Sequence, residues 1–206
     1  MEISKIRFAV FASGNGTNAE NIFTHIGDNP KSEVCCLVTD NQDAFVVTRA
    51  KNHGINYHIV EKSSGDNKIK HEKNIVKILD TYKPDWILLA GYMRILSPFF
   101  LEKFSGKKGQ SRVINIHPSM LPKFKGMDAY RQAYDANVDT SGVTVHFVDS
   151  GIDTGSQIMQ ESFPRYRNDT FDDFKSRGMN IEYTLYRKVI DQITGQSVRE
   201  RCDGYH

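Results

Sequence analysis

The chain has 206 residues, of which 39% are hydrophobic and 25% charged, and its 27 Lys and Arg residues nearly balance 25 Asp and Glu, for a net charge of +2. This composition excludes collagen-like and disordered chains and predicts a single folded domain over residues 1–206. The small net charge gives no support for binding along a nucleic acid, and no apolar run approaches the roughly 18 residues that cross a bilayer, so we expect neither partner.

The first half of the chain alternates short apolar runs with stretches that carry apolar residues at helical spacing. The apolar runs predict strands over residues 6–12, 33–39, 57–60 and 86–90. The stretches between them predict helices over residues 18–26, 43–51 and 68–82, and Pro84 follows the last of these. This alternation predicts an α/β fold: a doubly wound, mostly parallel sheet with helices on both faces.

The second half has more connecting sequence for each strand. We predict strands over residues 113–116, 143–148 and 157–163, and a final helix over residues 171–193. Alternating side chains in the middle strand suit a half-exposed strand, but this pattern does not determine where the strand lies in the sheet.

A glycine-rich turn from Ser13 to Asn18 joins the first strand to the first helix. Its backbone N–H groups would point at a ligand above the helix N-terminus, so Gly16, Thr17 and Asn18 are candidates for a phosphate site. Thr17 and Asn18 can also cap the helix or donate side-chain hydrogen bonds. A plain tight turn is the simpler interpretation. A dinucleotide site is another, because Ala19 completes G-x-G-x-x-A and Asp40 ends the second strand; the first sixty residues do not separate these.

Asn115 and His117 stand two positions apart around the end of a predicted strand, so both side chains point to the same side of the sheet. An amide and an imidazole placed together can donate hydrogen bonds to an oxygen that gains negative charge, and the imidazole can exchange protons near neutral pH. A single histidine near a strand end is more often a structural hydrogen-bonding group. The pair therefore predicts a site at this strand.

Asp153 lies between two glycines in the segment 149–155. In a turn such a carboxylate commonly accepts backbone hydrogen bonds, but beside His117 it would orient the ring or move a proton. His146, Asp149 and Asp153 match no strong metal-ligand spacing, and we expect no metal.

The three cysteines give neither a disulfide framework nor a zinc spacing. Cys35 and Cys36 fall in an apolar run and are predicted to fill a strand, whereas Cys202 lies in a polar tail. A reducing cytoplasm suits this usage.

An apolar segment follows the fourth predicted strand and contains Met93, Arg94, Ile95 and Leu96. At the carboxyl end of an α/β sheet, such a loop suits a flat heterocyclic ligand. The alternative is that the three apolar residues are core and Arg94 is a surface charge.

Segments 13–18, 89–97, 115–122 and 142–155, in this order, closely resemble the phosphoribosylglycinamide formyltransferases, a family of folate-dependent enzymes. The resemblance covers nearly the whole chain, and the glycine turn distinguishes it from other formyltransferases. It implies transfer of a formyl group from 10-formyltetrahydrofolate to the amine of glycinamide ribonucleotide. It implies small-molecule substrates, no metal, and a monomer or homodimer.

The resemblance also implies a role for each matching residue. Asn115 and His117 would stabilise a negative oxygen in a tetrahedral intermediate, and Asp153 would help to remove the amine proton. The substrate-binding residues would be Gly16, Thr17 and Asn18 at the phosphate, Glu182 at the ribose, and Met93. The folate-binding residues would be Arg94, Ile95, Leu96, Asp149, Ser150 and Asp153. A nicotinamide-dependent oxidoreductase and a non-catalytic nucleotide-binding module are the alternatives, and neither gives Asn115, His117 and Asp153 a role.

Overall fold

The computed structural model describes residues 5–62, 65, 67–106 and 109–203. These residues form one seven-stranded sheet in the order β3-β2-β1-β4-β5-β6-β7. The strands are β1 Ile6–Phe11, β2 Ser32–Thr39, β3 Tyr57–Ile59, β4 Trp86–Leu89, β5 Val113–His117, β6 Thr140–Phe147 and β7 Gln157–Pro164. The helices are α1 Thr17–Gly27, α2 Val46–Asn52, α3 Lys68–Tyr82, α4 Pro98–Lys103, α5 Ala129–Asp135 and α6 Phe171–Asp203.

Strands β1 to β5 are parallel to one another, whereas β6 and β7 extend the sheet in antiparallel fashion. The predicted α/β fold is confirmed, and every predicted strand and helix is present, most of them with shifted ends and α3 with the predicted ones. The largest shift is in α6, which extends ten residues further than predicted; β6 begins three residues earlier and α2 three residues later. The sequence could not indicate that β6 and β7 are antiparallel, because strand direction depends on pairing and not on local pattern.

Each face of the sheet carries its own hydrophobic core. Phe8 and Val10 of β1 belong to the core beneath α1, α2, α5 and α6, while Ala9 and Phe11 belong to the core beneath α3 and α4. Successive side chains of a strand point to opposite faces, so a strand buried on both sides is apolar throughout. This explains why residues 8–12, in and just after the first strand, form a continuous apolar run.

Helix α6 is fastened to the middle of the sheet by Tyr186, which is fully buried. Its hydroxyl donates to the carbonyl oxygens of Leu89 at 3.0 Å and Ile114 at 3.3 Å, in neighbouring strands β4 and β5. A buried phenol needs such a partner, because an unsatisfied polar group in a core costs about 1–3 kcal/mol.

Two short helices were not predicted from the sequence. Helix α4 has a recognisable start, since Ser97 accepts the N–H of Phe100 at 3.3 Å and Pro98 occupies the first turn. Helix α5 begins after Asp128, which has a positive φ of 56° and makes no side-chain cap. Helices of six and seven residues show at most a weak apolar period, and the cap of α4 was the clearer signal for that helix.

Candidate functional site

The carboxyl ends of the central strands bring the predicted segments to one edge of the sheet. Phe11, Leu89 and Asn115 pair across β1, β4 and β5, and His146 of β6 continues the same row. The strand order reverses between β1 and β4, which is where open α/β sheets bind ligands. With about 4.8 Å between strands, β1 and β5 lie roughly 10 Å apart.

The predicted trio comes together at this edge. His117 Nδ1 lies 3.3 Å from Asp153 Oδ2, and the N–H of Gly126 donates to the same oxygen at 2.8 Å. The side chains of His117 and Asp153 are only 6% and 11% exposed, so the carboxylate faces the ring rather than solvent. Asn115 is the third member of the trio. It lies on the same strand as His117, because β5 extends to position 117.

His146 joins this trio, although the sequence suggested it only as a discarded metal ligand. Its Nε2 lies 3.3 Å from Asn115 Nδ2 and 3.5 Å from Asp153 Oδ1, and its side chain is 3% exposed. The register of β6 against β5 makes this contact, and a sequence pattern does not reveal register between distant strands.

The hydrogen bonds to carbonyl oxygens assign the tautomers of the two rings. His117 Nε2 donates to the carbonyl of Phe124 at 2.8 Å, and His146 Nδ1 donates to that of Phe147 at 2.8 Å, because a carbonyl can only accept. The nitrogens that face Asp153 are therefore Nδ1 of His117 and Nε2 of His146. These are the atoms that can exchange a proton with the carboxylate.

The surroundings lower the pKa of both groups, which leaves His117 neutral and Asp153 charged. Burial lowers the pKa of His117, and this outweighs the carbonyl of Phe124 and the charge of Asp153, which act to raise it. Burial also opposes ionisation of Asp153, but the Gly126 N–H and the neighbouring His146 and His117 rings together outweigh it and leave the pKa of Asp153 lowered. Near neutral pH the site thus holds an ionised carboxylate beside a neutral imidazole.

A neighbouring aspartate folds the turn that presents Asp153. Asp149 Oδ1 accepts the N–H of Gly151 at 3.0 Å and the hydroxyl of Thr154 at 2.6 Å, which is an Asx turn. Within this turn Asp153 has a positive φ of 51°. The local Asx-type hydrogen bond that we considered for Asp153 is therefore made by Asp149, while Asp153 accepts the backbone N–H of the distant Gly126. Ser150 is exposed on the turn.

Gly16 is the N-cap residue of α1 and has a φ of 76°. A Cβ atom there would come within 2.4 Å of the Val46 side chain, so the close packing of α2 as well as the backbone conformation requires glycine. Neither Thr17 nor Asn18 caps the helix, because Gly16 takes the cap position without a side-chain bond, but Asn18 donates a side-chain hydrogen bond to Glu182, the other role predicted for these residues. The first N–H groups of α1 have no acceptor within the helix, as a phosphate site requires.

Glu182 of α6 lies against the glycine turn, 164 residues away in sequence from its partner there. It is 6% exposed and accepts hydrogen bonds from the Asn18 amide and the Tyr130 hydroxyl. Burial raises its pKa, although Tyr130 and Asn18 act to lower it. The structure thus brings Glu182 together with Asn18, as the predicted ribonucleotide site needs.

Asp40 is engaged in a way that the sequence did not reveal. Its carboxylate lies 2.7 Å from Arg94 Nε and accepts the Ser13 hydroxyl at 2.5 Å. The N–H of Met93 donates in turn to the Ser13 oxygen at 2.9 Å, so Asp40 fastens the apolar loop to the glycine turn. This network occupies the carboxylate that a dinucleotide site would assign to a ribose.

The predicted folate residues other than Asp153 line two separate clefts. One cleft of about 320 Å³ is lined by Met93, Arg94, Ile95 and Leu96 together with side chains of α3. Met93 and Ile95 are 66% and 52% exposed there, whereas Leu96 is buried in the core. Asp149 and Ser150 line a second cleft of about 520 Å³ beside α4. The alternative that the apolar loop is core thus holds for Leu96 alone.

Several features concern only the part of the chain that the structure describes. No group of three or more His, Cys, Asp or Glu side chains there is arranged to hold a metal ion. Cys35 and Cys36 lie buried as free thiols in β2, as predicted, while the side chain of Cys202 lies outside the described residues. Within the same ranges, no helix has the length and apolar character needed to span a membrane.

The chain matches the family model described as "Formyl transferase" over residues 6–190. It is 40% identical to the phosphoribosylglycinamide formyltransferase of Bacillus subtilis over 94% of this chain and 97% of that protein. The Escherichia coli enzyme of the same name is 36% identical over 90% of this chain and 85% of its own length. The crystal structure of the Bacillus halodurans phosphoribosylglycinamide formyltransferase superposes with a TM-score of 0.85 at 38% identity, covering 93% and 96% of the two chains.

Proposed function

The chain belongs to the formyl transferase family, and we propose that it transfers the formyl group of 10-formyltetrahydrofolate to the amine of glycinamide ribonucleotide. It is an enzyme of one-carbon transfer, and formyl transfer in purine biosynthesis follows from its relatives. The folate donor, the acceptor and the residue roles below constitute the proposal.

The observation that carries the proposal is the cluster of Asn115, His117 and Asp153, in which an ionised carboxylate lies 3.3 Å from a buried, neutral imidazole. The amine nitrogen attacks the formyl carbon, and the carbonyl electrons move to oxygen to give a tetrahedral intermediate. The Asn115 amide then donates a hydrogen bond to this oxygen. The His117 ring donates one from Nδ1 once that nitrogen has taken up a proton, because its Nε2–H is already bonded to the Phe124 carbonyl. No covalent bond to the enzyme forms.

Asp153 takes the proton that the amine nitrogen loses, directly or through one water. Its lowered pKa keeps the carboxylate ionised at neutral pH but also makes it a weak base, so it passes the proton on rather than keeping it. The facing Nδ1 of His117 and Nε2 of His146 offer places to which that proton passes. Collapse of the intermediate breaks the bond to the folate nitrogen, which leaves carrying a proton.

The glycine turn anchors the acceptor. The ribonucleotide phosphate binds the N–H groups of Gly16, Thr17 and Asn18, where the positive end of the α1 dipole favours an anion. Glu182 accepts hydrogen bonds from the ribose hydroxyls with the lone pairs that Asn18 and Tyr130 leave unused.

The folate donor lies against Met93, Arg94, Ile95 and Leu96 and reaches the turn that carries Asp149, Ser150 and Asp153. The exposed Met93 and Ile95 supply apolar contacts for a flat ring, which supports this position. We further propose that the protein acts in the cytoplasm on small molecules, as a monomer or homodimer, without a metal.

The decisive assay supplies 10-formyltetrahydrofolate with and without glycinamide ribonucleotide and follows the release of tetrahydrofolate and formate. Release of tetrahydrofolate only when the ribonucleotide is present, with formylated ribonucleotide as product, is the expected result. Formate release without the ribonucleotide would identify water as acceptor and a deformylase instead. Tight binding of a nicotinamide cofactor without formyl transfer would contradict the proposal altogether.

A further inference from the structure

Tyr130 of α5 is a buried partner of Glu182. Neither the sequence pattern nor the proposed reaction gives it a role. Its hydroxyl donates to Glu182 Oε1, while the Asn18 amide donates to Oε2. The three residues come from α5, α6 and α1, and Tyr130 is 7% exposed. The carboxylate is thus held from two sides, one of which is the first turn of α1.

A glycine on α6 makes room for this contact. Gly178 lies one helical turn before Glu182, and a Cβ atom there would come within 2.3 Å of the Tyr130 ring and 2.6 Å of its hydroxyl oxygen. Glycine inside a helix costs roughly 1 kcal/mol relative to alanine. Here it lets the Tyr130 ring lie on the same face of α6 as the carboxylate that its hydroxyl binds.

We infer that Tyr130 is a positioning residue for the ribonucleotide: its hydroxyl holds the Glu182 carboxylate against Asn18, in the orientation that accepts the ribose and fixes the phosphate turn. The inference rests on the proposed function, since it takes the ribonucleotide to be the ligand of this turn. Tyr130 acts through Glu182 and does not touch the reacting atoms.

The charges around Glu182 determine how this role depends on pH. Burial is the largest influence on the pKa of Glu182 and favours the neutral acid. The Tyr130 hydroxyl, the Asn18 amide and the positive charge of Lys175 on α6 favour the carboxylate. Tyr183 lies near the Tyr130 hydroxyl. Removing the Tyr130 hydroxyl therefore raises the pKa of Glu182 further. The carboxylate would then be lost first on the acidic side, so ribonucleotide binding should weaken most in acidic buffer.

The test compares Tyr130→Phe with Tyr134→Phe, a matched control on the same helix whose hydroxyl donates to the carbonyl of Asp169 at 2.9 Å. Steady-state kinetics and calorimetry are run with glycinamide ribonucleotide across pH. For Tyr130→Phe we expect KM and Kd to rise about tenfold, the loss typical of a hydrogen bond to a charged group, with kcat within about twofold. The rise should be larger in acidic than in alkaline buffer, and the control should match the wild type.

An unchanged KM, or a rise that is the same at every pH, would overturn the inference. Gly178→Ala provides a second variant, because its methyl group displaces the ring and should reproduce the acid-sensitive rise in KM. Failure of the proposed function is a separate result: wild-type protein that binds the ribonucleotide without transferring a formyl group refutes the function, while Kd still tests Tyr130. A wild type that does not bind the ribonucleotide overturns both.

Discussion

Replacing the Asp153 carboxylate with an amide tests how much its negative charge contributes to turnover, because the shape of the side chain is nearly unchanged. In Asp153→Asn the amide oxygen can still accept the N–H of Gly126, and the amide nitrogen can donate to His146 Nε2, whose other nitrogen already donates to a carbonyl. The hydrogen bonds that hold the turn therefore survive the substitution. We expect a folded variant with near-normal ribonucleotide affinity and much reduced turnover.

The size of the loss follows from the geometry. A positive charge on His117 at 3.3 Å from the carboxylate would be stabilised by about 5 kcal/mol at an effective dielectric constant of about 20. Removing a general base costs about 10²–10⁴ in rate, or roughly 3–5 kcal/mol of activation free energy. Both figures place the fall in kcat for Asp153→Asn at a hundredfold or more.

The assay measures kcat and KM for both substrates, with the melting temperature as a check on folding. Asp135→Asn is the control, since that carboxylate lies exposed on α5, 3.7 Å from Arg131. Turnover of Asp153→Asn within about tenfold of wild type would refute the assignment of the carboxylate as proton acceptor. A large rise in ribonucleotide Kd would show that the residue binds substrate instead of moving a proton.

Three further predictions concern the imidazole, the phosphate turn and acid stability. His117→Ala should lower turnover about a hundredfold or more with ribonucleotide affinity mostly retained, and near-normal turnover would argue against its role. Gly16→Ala places a methyl group on a backbone with a φ of 76° and against Val46 of α2. We therefore expect weaker ribonucleotide binding by calorimetry and a free energy of unfolding about 1–3 kcal/mol lower. Gly14→Ala is the control, because its methyl group would meet open space and should change neither quantity; equal effects of the two substitutions would contradict this prediction. Burial lowers the pKa of His71, so the neutral ring stabilises the fold above about pH 6.5, and this stabilisation is lost as the pH falls below that value. In urea unfolding, the free energy of unfolding should depend less steeply on pH for His71→Gln than for His53→Gln, a control at an exposed histidine. The same pH dependence in both variants would refute the prediction.

The sequence predicted the features that depend on neighbouring residues. Alternation of apolar runs with helical periods identified the α/β class, and the two-residue period of a strand placed Asn115 and His117 on one side of the sheet. The glycine turn was recognisable because only glycine suits its backbone. The short helix α5 escaped prediction, since two turns without a side-chain cap leave little local signal.

Contacts between distant segments needed the tertiary structure. The antiparallel register of β6 puts His146 beside Asn115, the Asx turn at Asp149 aims Asp153 at His117, and α6 delivers Glu182 to the glycine turn. Local periodicity determines which face a side chain occupies, but strand order, register and helix docking depend on how the whole chain packs its two cores. The sequence therefore identified the separate residues that can carry the chemistry, and the folded sheet determined which of them lie in contact.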